Sequence, residues 1–163
     1  MNRPLPVGFL GHELGQSLVE ISLLLPVVAI ALIGGADLAR AFAMQMAVQN
    51  GARAGAEAYA IDQSPTTAAA INRTLDEMTR TPGMNWTNCV ITGDTCHDVG
   101  APGDIRVTLA QSDGVLECVT PPTIATPCFV TVSVQYAFRT IVPWPLVPNV
   151  ANFDRSTTMR TFY

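Results

Sequence analysis

Nineteen residues from Leu18 to Ala36, LVEISLLLPVVAIALIGGA, carry a single charge, Glu20. As an α-helix rising about 1.5 Å per residue, this run spans roughly 28 Å, close to the ~30 Å hydrocarbon layer of a bilayer. Helix is the one local structure that satisfies every backbone group of such a segment in lipid. Pro26 is a fault in it, because its ring removes one backbone bond and presses on the carbonyl of Ser22. Membrane helices tolerate such a proline where a nearby hydroxyl answers the freed group, and Ser22 is suitably placed. Gly34 and Gly35 add a second flexible point at the far end.

Composition agrees with a chain partly in lipid. Charged residues make up 13% of the 163, about half the share usual for a soluble globular protein. All nine basic residues are arginine against 13 acidic ones, for a net charge of −4. No basic patch exists to neutralise a phosphate backbone, so nucleic acid is not expected as a partner.

A secretory signal is the rival to a permanent span. Ala29-Ile30-Ala31 offers a small-x-small cleavage site and a mature start at Leu32, which would release a secreted, disulfide-bonded binding domain. A carboxylate at Glu20, near the start of the apolar core, argues against it. Arg3 on one side and Arg40 and Arg53 on the other leave the positive-inside rule undecided.

Beyond the apolar run, Leu38, Phe42 and Met46 recur every four residues beside a drifting polar stripe of Asp37, Arg40, Gln45, Gln49, Arg53 and Glu57. That is an amphipathic helical period. Ten alanines between Ala36 and Ala60 raise its helix propensity. One long helix results, half in lipid and half outside, with Gly51 and Gly55 as weak points or places of close approach. A second helix is expected from about Thr66 to Thr79, with Ser64 as its cap and Pro65 at its first position. Its apolar face holds Ile71, Leu75 and Met78.

After Gly83 the chain reads as strands. Ile105 to Gln111 and Phe129 to Phe138 alternate at period two. Ser112-Asp113-Gly114 predicts a hairpin turn into a short third strand, Val115 to Thr120. Pro143 to Pro148 should cross the surface as a loop, and Arg155 to Phe162 should return as a final edge strand. The fold class expected is α+β: a long N-terminal helix, a short second helix and a small antiparallel sheet.

Four cysteines lie between Cys89 and Cys128. Cys89 and Cys96 bound one short loop, Cys118 and Cys128 another, which reads as two local disulfides in an oxidising compartment, although four cysteines allow three pairings. Zinc with His97 as an extra ligand is the rival, but intervals of six and nine residues are not the two-to-four of zinc knuckles. No metal or cofactor is expected. Cys96-His97-Asp98 invites a membrane-tethered thiol or metal enzyme, yet adjacent residues rarely converge on one substrate. No enzymatic activity is expected.

Glu20 is the residue that asks for a function, since an ionisable group in an apolar span is expensive and implies a partner. Gly15-Gln16-Ser17-Leu18-Val19-Glu20, followed by Leu23-Leu24-Leu25-Pro26, resembles the processing site of type IV prepilin-like proteins. Asp37-Leu38-Ala39-Arg40-Ala41-Phe42 and Gln49-Asn50-Gly51-Ala52-Arg53-Ala54-Gly55-Ala56 are similar to the helical signature of TadE-like proteins of the tight-adherence (Tad, or Flp) pilus system. Ser156-Thr157-Thr158-Met159-Arg160 is similar to the last strand of that family.

The resemblance implies a minor pilin or pseudopilin of a type IVb pilus. Residues 1–15 would be a leader, removed by prepilin peptidase between Gly15 and Gln16. Residues 16–62 would be the transmembrane and amphipathic helix, and residues 63–163 a periplasmic α+β domain. Glu20, Asp37 and Arg40 would serve subunit packing. Partners would be the peptidase, other pilin-like subunits, the inner-membrane assembly platform and membrane lipid. The chain would reside as a single-pass protein of the inner membrane, with the extracellular pilus as a further destination. The leader departs from the pattern in having few basic residues and Glu13 near the cut, and Ile21 stands where an aromatic is common. An uncleaved, membrane-anchored form is the alternative.

Overall fold

The computed structural model describes residues 11–84, 86, 89–98, 103–115, 117, 118, 122–143 and 148–161, with side chains from Gly15 onward. Helix α1 (Gly11–Ile61) runs through Pro26 and the Gly34-Gly35 pair without interruption. The Ser22 hydroxyl donates to Val19 O at 2.8 Å, so it bonds the turn before it and does not answer the group that Pro26 frees.

By its contacts the chain forms two units, divided between Ala39 and Arg40. The first is the apolar part of α1. Its large side chains, Leu18, Val19, Ile21, Leu23, Leu24, Leu25, Val27, Val28, Ile30, Leu32 and Ile33, are all exposed and lie on every side of the helix. A helix apolar all round has no solvated face and suits lipid.

The second unit contains residues 40–61 of α1, then α2 (Thr67–Thr79) and one antiparallel sheet in the order β1 (Cys89–Thr92), β2 (Thr95–Asp98), β3 (Gly103–Gln111), β4 (Cys128–Arg139) and β5 (Val150–Arg160). Helix α2 is capped by Thr66, whose side chain accepts from Ala69 N at 3.1 Å. Ser64 instead bonds through its own N–H to Asp62, so the cap falls two residues later than the Ser64-Pro65 pair predicts. Alternation in β3 and β4 turns Ile105, Val107, Val130, Val132 and Val134 into the core. They meet Met44, Val48, Ala52, Ala56 and Ala60 of α1 and Ile71 and Met78 of α2 there.

The buried stripe of α1 is therefore the small-residue one. Val48, Ala52 and Ala56 are fully buried, while Phe42 and Met46, which carry the apolar period in the sequence, are 58% and 64% exposed. Close approach selects this face. A Cβ on Gly51 would stand 3.2 Å from Thr74 O, and one on Gly55 would stand 2.9 Å from Ala70 O and overlap the Thr74 hydroxyl.

Two parts of the sheet depart from expectation. The Cys89–Cys96 segment is the β1–β2 hairpin, turned at Gly93, whose φ of +62° lies in the left-handed region. The expected strand at Val115 to Thr120 does not form among its described residues. The turn before it does, with Gly114 N donating to Gln111 O and Gln111 N to Val115 O, but the chain then leaves the ladder toward a disulfide. Trp144 and the rest of residues 144–147, in the expected surface loop, lie outside the described residues, as do Phe162 and parts of the Val115 to Thr120 segment.

Candidate processing and membrane-packing site

Gly15 and Gln16 lie within α1, one turn before Glu20. A Cβ added at Gly15 would meet nothing within 4 Å. Glycine inside a helix costs about 0.5–1 kcal/mol relative to alanine, and here no close approach offsets that cost. Gly15 differs in this from Gly51 and Gly55, whose missing side chains let α2 approach. Glu20 is exposed, and the Gln16 side-chain amide donates to its Oε1 at 3.3 Å. The carboxylate sits on the flank of a fully apolar segment with one weak neutral partner one turn away.

At the other end of the span, Asp37 is 5% exposed and is hydrogen-bonded or paired within the chain. The Arg40 guanidinium lies over the Phe138 ring, 5.6 Å from its centroid, a cation–π contact. Arg40 thereby ties the start of the second unit's helix to β4. It also opposes the effect of burial on Tyr136, whose phenol is nevertheless held above the ordinary value, burial being the larger cause.

The cysteines join Cys89 to Cys96 and Cys118 to Cys128, with Cα atoms 5.7 and 5.9 Å apart. The first bond closes the β1–β2 hairpin. The second ties the segment after the Ser112-Asp113-Gly114 turn to the start of β4. Cys96 and Asp98 face the core while His97 points to solvent and pairs with Asp104. The triplet Cys96-His97-Asp98 is thus split between two faces of the sheet. His97, Asp104, Gln135 and Asp154 form one row across four strands, beside a shallow hollow of about 400 Å³. Among the described residues no three His, Cys, Asp or Glu side chains are grouped to hold a metal ion.

The helix that carries Gly15, Glu20, Asp37, Arg40, Gly51 and Gly55 is also where relatedness lies. Residues 15–57 match the family of TadE-like proteins. The match begins at Gly15, covers about a quarter of the chain and ends within α1, before α2 and the sheet. No curated protein and no solved structure matches the chain. The likeness to TadE-like proteins is thus confined to one segment of α1. Sequence reasoning missed the small-residue face of α1 as the buried one. The signal was present in the i, i+4 series Val48, Ala52, Ala56, Ala60.

Proposed function

We propose that this chain is a minor pilin or pseudopilin of a Tad pilus, cut by prepilin peptidase after Gly15 and built into its assembly through α1. The observation that carries the reading is Gly15, a helical glycine that no packing in the subunit requires, five positions before the one charge of an apolar helix exposed on all sides. Cleavage leaves 148 of the 163 residues and a new ammonium at Gln16. The apolar span lies in the inner membrane, and the disulfide-bonded unit faces the periplasm, where thiols oxidise. Glu20 then pairs with the ammonium of a neighbouring subunit. Opposite charges attract far more strongly in a low-dielectric helix bundle than in water, and a carboxylate left unpaired there is penalised. The pair therefore favours one stagger of adjacent helices over others. Asp37 and Arg40, which follow the apolar span on the same helix, serve subunit packing beside Glu20.

Glu20→Ala tests this reading. The variant should reach the membrane, lose its leader as the wild type does, and fail to co-purify with other pilin-like subunits. Unchanged co-purification and piliation would refute the pairing role.

A further inference from the structure

Among the described residues, strand β5 has a partner on one side only. It pairs with β4 over eleven residues, Val150 to Arg160, without a bulge or a proline, and no further strand lies beyond it among the described residues. The parity of its backbone follows from the ladder's ends. Thr161 N donates to Cys128 O at 2.8 Å and Thr140 N to Asn149 O at 3.1 Å. Both bonds make the odd-numbered residues of β5 the hydrogen-bonded partners of β4. The N–H and C=O groups of Asn152, Asp154, Ser156, Thr158 and Arg160 therefore point outward. Asp154 O behaves accordingly, accepting from the Arg155 guanidinium at 2.9 Å. A long edge of this kind, with neither bulge nor proline, is a template for another strand.

Charge selects which strand. We infer that β5 pairs antiparallel with β5 of a second copy of this chain, in the register centred on Thr157. The side chains of Asp154, Ser156, Thr158 and Arg160 all lie on the solvent face. In a two-fold pairing each residue meets a partner of the same face, so the sum of paired residue numbers is even. Centring on Thr157 sets Asp154 of each copy opposite Arg160 of the other, two opposite-charge pairs by symmetry, with Ser156 opposite Thr158. Four outward-facing pairs exchange two backbone bonds each. Centring one residue earlier, on Ser156, leaves Asp154 opposite Thr158. Centring on Arg155 sets two arginines face to face, and centring on Asp154 sets two carboxylates face to face. Cross-strand charge pairs are favourable when opposite and unfavourable when alike, so the Thr157 register is the one the strand's charges choose. Arg155 guards the edge until a partner displaces its guanidinium from Asp154 O.

The test uses the full chain purified in detergent. Every cysteine among the described residues is in a disulfide, so Thr157→Cys introduces one thiol at the two-fold axis, in a non-hydrogen-bonded pair where the Cα atoms stand about 4.5 Å apart. Mild oxidation should convert most of this variant to a covalent dimer, whereas Asn152→Cys should stay monomeric. Asp154→Arg or Arg160→Asp in the Thr157→Cys background should lower dimerisation roughly ten- to hundredfold, and the two together should restore it. Ser156→Pro removes an outward N–H and no β4 bond, and should abolish the dimer with both native disulfides intact. Arg155→Ala should strengthen it. Absence of a Thr157→Cys dimer overturns the inference. So does a dimer indifferent to the charge reversals, which would mean association through α1 instead.

Discussion

Gly55→Ala places one methyl group where α1 and α2 come closest. The added Cβ stands 2.9 Å from the Ala70 carbonyl oxygen and overlaps the Thr74 hydroxyl. Neither can yield cheaply. Ala70 O is backbone, and Thr74 is fully buried with its hydroxyl donating to that same carbonyl at 2.9 Å. Helix α2 must therefore move outward, drawing its own Ile71 and Met78 from the core. Overpacking of this kind costs about 1–3 kcal/mol, and disturbing a buried hydroxyl's bond adds roughly 1 kcal/mol. The gain in helix propensity from glycine to alanine returns about 1 kcal/mol. The net loss is about 1–3 kcal/mol, or roughly 3–15 °C in melting temperature for a unit of this size. Trp86 is 4% exposed, so its fluorescence reports unfolding of the second unit in detergent, by heat or urea. Adding Thr74→Ala should recover part of the loss by removing the hydroxyl. A Gly55→Ala protein as stable as wild type, or more stable, would refute the close-packing account of this helix face.

Gly15→Val should leave that melting transition unchanged, because a side chain there meets nothing, yet abolish processing; a shift in mass from precursor to mature form on an immunoblot decides it. Replacing Cys89 and Cys96 together by serine should cost about 2–3 kcal/mol on the loop-entropy model, read from the urea midpoint under non-reducing conditions, since their bond closes the hairpin at the sheet's β1 edge. Burial raises the Tyr136 phenol above 10.0, so its neutral form stabilises the fold at every pH below 10. That contribution is lost as pH climbs through the raised folded value. Tyr136→Phe should accordingly move the alkaline unfolding midpoint upward, and an unchanged midpoint would count against the burial argument.

The apolar run, the long helix and the strands β3 and β4 were legible because each carries a strong pattern over seven or more residues. Strand β5, expected from Arg155 to Phe162, begins five residues earlier, at Val150, in a stretch without such a period. In the outer half of α1 the apolar period does not mark the buried face, for a physical reason. Hydropathy weights Leu38, Phe42 and Met46, but the fold buries the side chains that permit closest approach, and those are Ala52, Ala56 and the two glycines. The β1–β2 hairpin escaped notice because each strand is four residues long and its turn, Gly93-Asp94, sits among threonines that read as loop. Val115 to Thr120 reads as a strand locally, yet the Cys118–Cys128 bond draws its end back to β4. The Gly15/Glu20 spacing was visible in sequence. What the structure adds is that, among the described residues, a Cβ at Gly15 would meet nothing within 4 Å.

The most direct test of the account is the mature N-terminus, read by mass spectrometry on protein from the membrane fraction of cells with and without prepilin peptidase. A start at Gln16 that depends on the peptidase is the predicted result, and it would set Glu20 fifth in the mature chain. A start at Leu32, or an intact Met1 in cells with active peptidase, would contradict the pilin reading.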